Sequence, residues 1–383
     1  MDDVPAGPAS PEPRRPVLSV VIPVRNGGRD FEHCLRRLQE SDFRDYELIV
    51  VDDGSTDLTA ATARRAGARV LANTSPLGPA AARNQGAREA AAAVIFFLDA
   101  DVLVHRRTLA LAVERFQADP GLAALFGSYD DTPGDPGLVS QYRNLLHHFV
   151  HQQGEFREGI RPAHTFWTGC GAIRREAFLN CGGFDPRLYP RPAIEDIELG
   201  YRITRAGGRI VLARDMLATH MKRWSLAEMV RTDIMRRGVP WMLLLKRTHI
   251  VETDLNVKSK EKICVALTGL TIVLVIAGLA VPWAWLGAVA ATTAVALLNA
   301  SFFRFLARKK GWLFAGAALP LHMVYYCSCG VSVVIALGYW TFADRPRASS
   351  TTPFHRADPR SRPIPRPAGS RWGVLSRFRS RAR

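Results

Sequence analysis

The chain has 383 residues, and its 51 lysines and arginines against 35 aspartates and glutamates give a formal net charge of +16. This length has room for more than one domain. Residues 344–383 hold 11 arginines and two aspartates among many prolines and serines. We expect a disordered basic tail over residues 342–383 that binds anionic lipid headgroups. Since no nucleic-acid-reading motif accompanies the tail, we expect no nucleic-acid partner.

The N-terminal 16 residues are polar and rich in proline, and they lack the apolar core of a signal peptide. We therefore expect residues 1–16 to form a disordered N-terminal segment. The six cysteines show no Cys-X-X-Cys spacing, so that neither a zinc site nor a disulfide framework is indicated. This pattern suits a reducing compartment.

Two apolar runs near the N-terminus have the length and composition of buried strands. Residues 18–24 form the first run, and the glycine-containing turn 25–28 that follows it can bring backbone close to a ligand. Residues 47–53 form the second run, which ends in Asp52 and Asp53. An acid at this point could accept hydrogen bonds from a uracil-type base or a ribose.

A third apolar run, residues 93–98, ends abruptly at two carboxylates one residue apart, Asp99 and Asp101. Ligands collect at the carboxyl ends of parallel strands in open α/β sheets, and Mg²⁺ and Mn²⁺ prefer carboxylate and phosphate oxygens. The pattern indicates a divalent cation beside a phosphate, although a turn closing the strand is the simpler alternative. The order of strands and helices predicts a parallel, doubly wound α/β sheet.

The residues of these segments resemble the motifs of family 2 glycosyltransferases in order and spacing. The first four motifs are Val21-Ile22-Pro23-Val24-Arg25-Asn26, Val51-Asp52-Asp53-Gly54-Ser55-Thr56-Asp57, Ala82-Arg83-Asn84-Gln85-Gly86 and Leu98-Asp99-Ala100-Asp101. The later ones are Thr168-Gly169-Cys170-Gly171-Ala172-Ile173-Arg174-Arg175, Gly182-Gly183-Phe184-Asp185 and Ile194-Glu195-Asp196-Ile197-Glu198-Leu199-Gly200. The resemblance assigns a catalytic domain to residues 17–224.

This resemblance implies the Rossmann-like A-type glycosyltransferase fold, a nucleotide-sugar donor with a UDP-sugar favoured, a divalent metal (Mg²⁺ or Mn²⁺) and usually inversion at the anomeric carbon. It also implies that the donor is bound by Pro23, Arg25, Asn26, Asp52, Asp53, Arg83, Asn84, Asp99, Gly169 and Cys170. In this hypothesis Arg83 contacts the diphosphate, whereas a solvated arginine at a helix start is the alternative. Gly169 either brings backbone near the donor sugar or permits close packing.

The chemical step needs a base for the acceptor hydroxyl and a charge clamp for the departing diphosphate. By resemblance, Asp196 is the base and Glu195 supports it. As acids at a predicted helix start, both would also be stabilised by the helix dipole without any catalytic role. Asp101, with Asp99 and His220, is the expected metal set, although a lone histidine often has a structural role.

Two features argue against processive polymer synthesis and against a second metal site. Arg223-Trp224 resembles the ending of a motif of processive members, but His220 stands where that motif begins with glutamine, which argues against processive polymer synthesis. His147 and His151 lie one helical turn apart, yet no nearby carboxylate completes a metal site, so a structural or acceptor-side helix is favoured.

The second half of the chain is predicted to be membrane-associated. Residues 225–262 mix apolar and basic side chains and indicate an interfacial amphipathic segment broken near residue 238. Residues 263–341 contain three long apolar stretches, 263–281, 286–303 and 312–340, which we interpret as three membrane spans. Pro320 is expected to lie inside the last helix without ending it.

We therefore expect a multi-pass protein of the cell membrane, with its catalytic domain facing the cytoplasm and a lipid-linked or glycan acceptor. Three spans would export the basic tail against the usual charge bias, so re-entry of the last stretch is the alternative topology. Two other functions are compatible with parts of the pattern. They are a sugar nucleotidyltransferase and a non-catalytic nucleotide-sugar-binding membrane protein.

Overall fold

The computed structural model describes residues 15–248 and 259–342. The expected N-terminal segment, apart from its last two residues, and the expected basic tail, apart from residue 342, lie outside the described residues. Part of the expected interfacial segment, residues 249–258, also lies outside them.

A single sheet contains the nine strands of the described residues. The strands are β1 (Leu18–Val24), β2 (Tyr46–Asp52), β3 (Arg69–Ala72), β4 (Val94–Leu98), β5 (Val102–Val104), β6 (Leu122–Tyr129), β7 (Ile160–Ala163), β8 (Cys170–Arg174) and β9 (Arg209–His220). Their order is β3-β2-β1-β4-β8-β6-β9-β5, and β7 pairs with β9.

The sheet is mixed, with the predicted parallel strands and further strands that are antiparallel. The block β3-β2-β1-β4 is parallel as predicted, and β6 runs parallel to β9. However, β8 is antiparallel to both of its neighbours, and β5 and β7 are antiparallel to β9. Antiparallel neighbours need no helical crossover, so the regular alternation of strands and helices stops after β4. An apolar run carries no information about strand direction.

Helices cover both faces of the sheet. They are α1 (Gly28–Gln39), α2 (Thr59–Arg65), α3 (Pro79–Glu89), α4 (Thr108–Ala118), α5 (Leu138–His151), α6 (Arg175–Asn180) and α7 (Glu195–Arg205). Side chains alternate across each strand, so that Val20 and Ile22 pack with Phe31 on one face, whereas Val21 packs with Phe97 on the other. Because both faces are buried, the central strands are continuously apolar.

A helical region follows the sheet. Its elements are α8 (Leu226–Arg231), a π-helix (Thr232–Gly238), α9 (Val239–Thr248), α10 (Ser259–Ala277), α11 (Ala284–Leu298), α12 (Ala300–Lys310) and α13 (Trp312–Phe342). The predicted break near residue 238 coincides with the change from the π-helix to α9. As expected, α13 continues through Pro320.

The helical region contains fewer candidate spans than the three expected. Among the described residues only α13 is by itself long and apolar enough to cross a membrane. The predicted second span is not a continuous helix, because α11 and α12 meet at an angle of 74° and would form a span only as one bent unit. At the bend, the Asn299 side-chain nitrogen donates to the Val295 carbonyl at 2.9 Å and lies 3.4 Å from Cys264 Sγ. These contacts hold a polar side chain in the interior where the helix ends.

The helical region packs directly on α5 of the sheet domain. Tyr142 of α5 is fully buried, and its hydroxyl lies 2.9 Å from Nδ1 of His322 in α13. Arg143, also buried, forms a two-pronged ion pair with Asp233 of the π-helix, with one contact at 3.1 Å. On the other side, Lys309 of α12 pairs with Asp131. Apolar packing and buried charge together fix the helices against the sheet domain.

We predict that Arg143→Met destabilises the folded chain by about 3–5 kcal/mol, because it leaves the Asp233 carboxylate buried without its cation. The double variant Arg143→Met/Asp233→Leu should regain most of this loss. Denaturant unfolding of the full chain in one detergent measures the effect.

The matched control is Arg107→Met, because Arg107 pairs with Glu114 at 3.6 Å on the exposed surface. We expect Arg107→Met to lower the free energy of unfolding by less than about 1 kcal/mol. Equal stability of Arg143→Met and the unmodified chain would show that the buried pair does not hold the π-helix in place.

Candidate active site

The carboxyl edge of the parallel strands gathers the acids that the sequence singled out. Asp52 ends β2, Asp99 follows β4, and Asp101 immediately precedes β5. The N-terminus of α7 brings Glu195 and Asp196 towards the same edge, where Glu195 and Asp99 share a partner. Asp99 and Glu195, which lie 96 positions apart in the chain, thus belong to one cluster.

Arg83 of α3 connects the two groups of acids. Its Nη2 donates to Asp99 Oδ1 at 2.7 Å, and its Nη1 donates to Glu195 Oε1 at 3.0 Å. The side chain is only 6% exposed, and the guanidinium lies 5.9 Å from the centre of the Phe184 ring. Burial by itself would lower the pKa of Arg83, but the charges of Asp99 and Glu195 outweigh it and raise the pKa. Arg83 is therefore a buried cation between carboxylates, and not the solvated arginine of the alternative interpretation.

Glu195 and Asp196 begin α7 as predicted, and they differ in environment. Glu195 Oε2 accepts from the backbone nitrogen of Ala193 at 2.8 Å, while its other oxygen faces Arg83. From the residues that the structure describes, Asp196 accepts only backbone hydrogen bonds, from Thr168 at 3.3 Å and Ile197 at 2.8 Å. Burial, followed by the negative charge of Glu195, raises the pKa of Asp196 to about 7, although Arg83 opposes the shift. A carboxylate with this pKa can exchange protons near neutral pH.

Asp101 and His220 form a second pair of side chains at this edge. Antiparallel pairing of β5 with β9 sets Val102 opposite His220, which brings His220 Nε2 to 3.5 Å from Asp101 Oδ2. Burial would raise the pKa of Asp101, but the hydrogen bond and charge of His220 and the charge of Lys222 lower it overall. Asp101 thus remains a carboxylate at neutral pH.

Asn144 of α5 orients the His220 ring, and this contact was not predicted from the sequence. Asn144 Oδ1 lies 2.7 Å from His220 Nδ1, and the Tyr129 ring stacks on the imidazole at 4.4 Å with the two planes 6° apart. In the charged ring both nitrogens donate, Nδ1 to Asn144 and Nε2 to Asp101. In the neutral ring with its proton on Nδ1, the lone pair of Nε2 faces Asp101. This is the arrangement of a metal-ligating histidine held by an outer hydrogen bond.

The Asp101 and His220 pair fits a divalent ion that takes its other ligands from elsewhere. Within residues 15–248 and 259–342, no group of three or more His, Cys, Asp or Glu side chains is arranged to hold a metal ion. An ion on Asp101 and His220 would complete its coordination with water and donor phosphate, which is the usual coordination of Mg²⁺ beside phosphates.

Asp53 organises a loop. Its Oδ1 accepts from Asn73 Nδ2 at 2.9 Å and from the backbone nitrogen of Leu77 at 2.8 Å, and its Oδ2 accepts from that of Gly78 at 2.8 Å. With three protein donors, the carboxylate fixes the entry to α3 and hence the position of Arg83. Asp52 Oδ1 accepts from the Ser55 nitrogen at 2.9 Å.

The other predicted donor-binding residues lie along the same edge with different surroundings. Asn26 adopts φ of 52°, and its Oδ1 accepts from the Thr56 nitrogen at 2.8 Å. Pro23 is half-buried, and Arg25 is exposed at the end of β1. Asn84 uses both ends of its amide on the backbone of Phe184, at 2.8 and 2.9 Å. The Asn84 amide therefore connects α3 to the segment before α7.

Gly169 and Cys170 lie where β8 begins. A Cβ added at Gly169 would lie 2.4 Å from Trp167 Cζ2, so close packing of the indole requires glycine at this position. This contact favours the packing explanation of Gly169. Cys170 is fully buried beside β4, and burial, followed by the charge of Asp99, raises the pKa of its thiol.

Four rings form an aromatic wall next to Asp101, namely Tyr129, His147, Trp167 and His220. The Tyr129 ring centre lies 4.4 Å from that of His147 and 4.8 Å from that of Trp167. Burial, followed by the charge of His151, lowers the pKa of His147, so this ring is neutral at pH 7. His147 of this wall and His151 lie side by side on α5, with their ring centres 4.0 Å apart. Only their helical spacing could have been read from the sequence.

Residues 19–182 match the family described as Glycosyl transferase family 2. Glycosyltransferase AglE of Haloferax volcanii is 26% identical over 215 residues, which cover 54% of this chain and 68% of the relative. A pre-mycofactocin glycosyltransferase of Mycobacterium tuberculosis is 31% identical over 235 residues, covering 59% of this chain and 47% of that relative. The chain thus spans about half the length of the mycobacterial relative. Residues 19–182 therefore form a domain similar to the family 2 glycosyltransferases.

A solved structure shares the fold. It is the mannosyltransferase PcManGT from Pyrobaculum calidifontis in complex with GDP-Man and Mn²⁺, with a TM-score of 0.50 and 21% sequence identity. The match covers 87% of this chain and 88% of that chain. The expected A-type glycosyltransferase fold, followed by a helical region, is confirmed.

We predict that Asp53→Ala destabilises the chain by about 1–3 kcal/mol, because backbone donors at Leu77 and Gly78 lose a buried acceptor. Hydrogen exchange at these two amides should accelerate more than at β4. Glu89→Ala is the matched control, since Glu89 forms an exposed ion pair with Arg69. Unchanged exchange at Leu77 and Gly78 would contradict the organising role of Asp53.

Proposed function

We propose that the protein transfers a sugar from a nucleotide-sugar donor, with a UDP-sugar favoured, to a hydroxyl of a lipid-linked or glycan acceptor, with inversion. The observation that carries this proposal is the pairing of two different acid environments at one sheet edge. Asp196 has its pKa raised to about 7, whereas the Asp101 carboxylate is kept charged beside His220. One acid suits proton removal and the other suits binding a cation.

In the proposed reaction, Asp196 accepts the proton of the acceptor hydroxyl as its oxygen bonds to the anomeric carbon. The bond from that carbon to the diphosphate oxygen breaks, and the nucleoside diphosphate leaves with the bonding electrons. Attack from the face opposite the leaving group inverts the anomeric centre. The Thr168 backbone N–H, 3.3 Å from Asp196 Oδ2, orients the carboxylate.

The proposed metal is Mg²⁺ or Mn²⁺, held by Asp101 and His220 with Asp99 nearby. When bound, it would neutralise charge on the diphosphate. Asn144 would keep His220 Nε2 available to the metal. Arg83 holds Asp99 and Glu195 in place from the other side. We further propose that the loops at the ends of β1 and β2, with Asp52, contact the nucleoside.

We also propose that the helical region attaches the enzyme to the cell membrane as a multi-pass protein, with the sheet domain facing the cytoplasm. Large apolar side chains of α10–α13 and the α10–α11 connection are exposed, among them Leu279 (81%), Trp283 (78%) and Leu313 (93%). A bilayer would cover these surfaces, and tryptophans suit its interfaces. Such attachment favours acceptors carried by lipid.

The deciding experiment measures nucleoside diphosphate release from a panel of nucleotide sugars, using full chain in liposomes with a lipid extract and Mg²⁺ or Mn²⁺. We expect release from one donor, and a loss of at least about a hundredfold in Asp101→Ala and Asp196→Asn. Glu40→Gln, at the exposed end of α1, should retain full activity. Full release by Asp196→Asn would contradict its role as the base, and release of pyrophosphate from a nucleoside triphosphate would favour a nucleotidyltransferase.

The pH profile provides a separate prediction. Because the base must be deprotonated, kcat/KM should fall below about pH 7, by about tenfold per pH unit. Arg83→Gln removes a charge that lowers the pKa of Asp196, so the fall should begin at higher pH. Residual activity of Arg83→Gln, measured from pH 5.5 to 9, reports this shift.

Thermal unfolding of Arg83→Gln should be recorded at each pH, because Glu195 also loses its partner in this variant. A profile that stays flat down to pH 5.5, or that moves to lower pH in Arg83→Gln, would exclude Asp196 as the titrating base.

A further inference from the structure

The π-helix, residues Thr232–Gly238, is an unusual element that the proposed reaction does not use. π-Helical turns are rare and occur often at functional sites. This one is held firmly, since Asp233 pairs with Arg143. A Cβ at Gly238 would lie 2.2 Å from Ser332 Oγ of α13, so the backbone packs closely there. A rigid π-helix thus presents its remaining side chains in fixed directions.

Two adjacent arginines at its end, Arg236 and Arg237, have no anionic partner in contact. Over residues 15–248 and 259–342, neither guanidinium forms an ion pair or a hydrogen bond. Arg143, one layer deeper, is by contrast neutralised by Asp233. The π-helix therefore neutralises the charge of Arg143 through Asp233, and it carries two arginines of its own whose charges have no ion-pair partner.

Arg237 lies within electrostatic range of residues of the candidate active site, among them Asp196 and His147. The Arg237 side chain is exposed to solvent, and partial desolvation, followed by the charge of Arg143, lowers its pKa. The anionic groups that act on it in the opposite direction are Asp233, Tyr129 if ionised, and Asp196. Arg237 is thus close to the proposed base and to the aromatic wall.

Lys222 extends this basic surface towards the metal pair. It follows β9 and lies with its Nζ 4.0 Å from the centre of the Trp224 ring. The charged groups that act on Lys222 are Asp101, Glu228, Arg236 and Arg237. The site therefore has carboxylates along the sheet edge, and three cations opposite them, Lys222 after β9 and Arg236 and Arg237 of the π-helix.

We propose that Arg236 and Arg237 bind a phosphate group carried by the acceptor, an inference that rests on the proposed function. A guanidinium presents a planar fork of donors that matches phosphate oxygens, and two adjacent ones suit a dianion. The acceptor hydroxyl must reach Asp196, and Arg237 is the free cation near that carboxylate. The diphosphate of the donor, in contrast, belongs beside Asp101 and His220. A phosphate-bearing acceptor would enter past the helical region.

The test measures binding of farnesyl phosphate to the full chain in detergent micelles by calorimetry. We compare the unmodified chain with Arg237→Gln, Arg236→Gln/Arg237→Gln and the control Arg231→Gln, an exposed arginine of α8. The double variant should bind at least about tenfold more weakly, whereas Arg231→Gln should match the unmodified chain. Arg237→Lys should lie between them. Farnesol lacks the phosphate, so its affinity should be the same for the unmodified chain and for every variant.

Other ligands separate the sources of phosphate. Binding of UDP and GDP with Mn²⁺ should change by less than about twofold in the double variant, because these ligands use the donor side. An equal loss for farnesyl phosphate and nucleoside diphosphate would assign the arginines to the donor and overturn the proposal. An equal loss for inorganic phosphate would show that the phosphate itself is recognised and would support it.

Vesicles containing phosphatidylglycerol test a membrane headgroup contact. A loss of vesicle binding as large as that for farnesyl phosphate would assign the arginines to the bilayer surface and overturn the proposal. Unchanged affinity for farnesyl phosphate, in a double variant that still releases nucleoside diphosphate, would overturn this inference alone. Absence of release from every donor would instead count against the proposed transferase.

Discussion

The ion pairs of Arg83 hold the candidate site together. A single buried guanidinium contacts Asp99 after β4 and Glu195 at the start of α7, at 2.7 and 3.0 Å. The loop that positions it is fixed by Asp53, and α3 is connected to the segment before α7 through Asn84. Without the guanidinium between them, the carboxylates of Asp99 and Glu195 would repel each other in a partly desolvated environment. The Arg83 cation therefore holds the end of β4 and the start of α7 together at this edge of the sheet.

The helical region is also part of the site, because α5 belongs to both halves of the molecule. One face of α5 places Asn144 on His220, while Tyr142 contacts His322 of α13. Arg143 binds the π-helix. Consecutive residues of one helix thus orient a site histidine, pack against the apolar helices and fix the π-helix. A displacement of the apolar helices would therefore move α5 and change the orientation of the His220 ring.

Local sequence patterns predicted the parts of the structure that local forces determine. The apolar runs, their acidic ends and the start of α7 at Glu195 all follow from composition and spacing over a few residues. The antiparallel direction of β8 and the bend at Asn299 depend on contacts between distant segments. The same is true of the pair of Arg83 and Glu195, 112 positions apart, and of Asn144 with His220, 76 apart. No periodicity in a single sequence encodes such partners.

The distribution of charge across the site would give the two proposed substrates different requirements for binding. Asp99, Asp101, Glu195 and Asp196 make the sheet edge negative, and Arg83 compensates only part of that charge. A diphosphate would be repelled from such an edge unless a divalent cation came with it. The opposite side, with Lys222, Arg236 and Arg237, attracts anions without any cofactor. Metal dependence would therefore be a property of donor binding, whereas binding of an anionic acceptor would depend on the π-helix and on ionic strength.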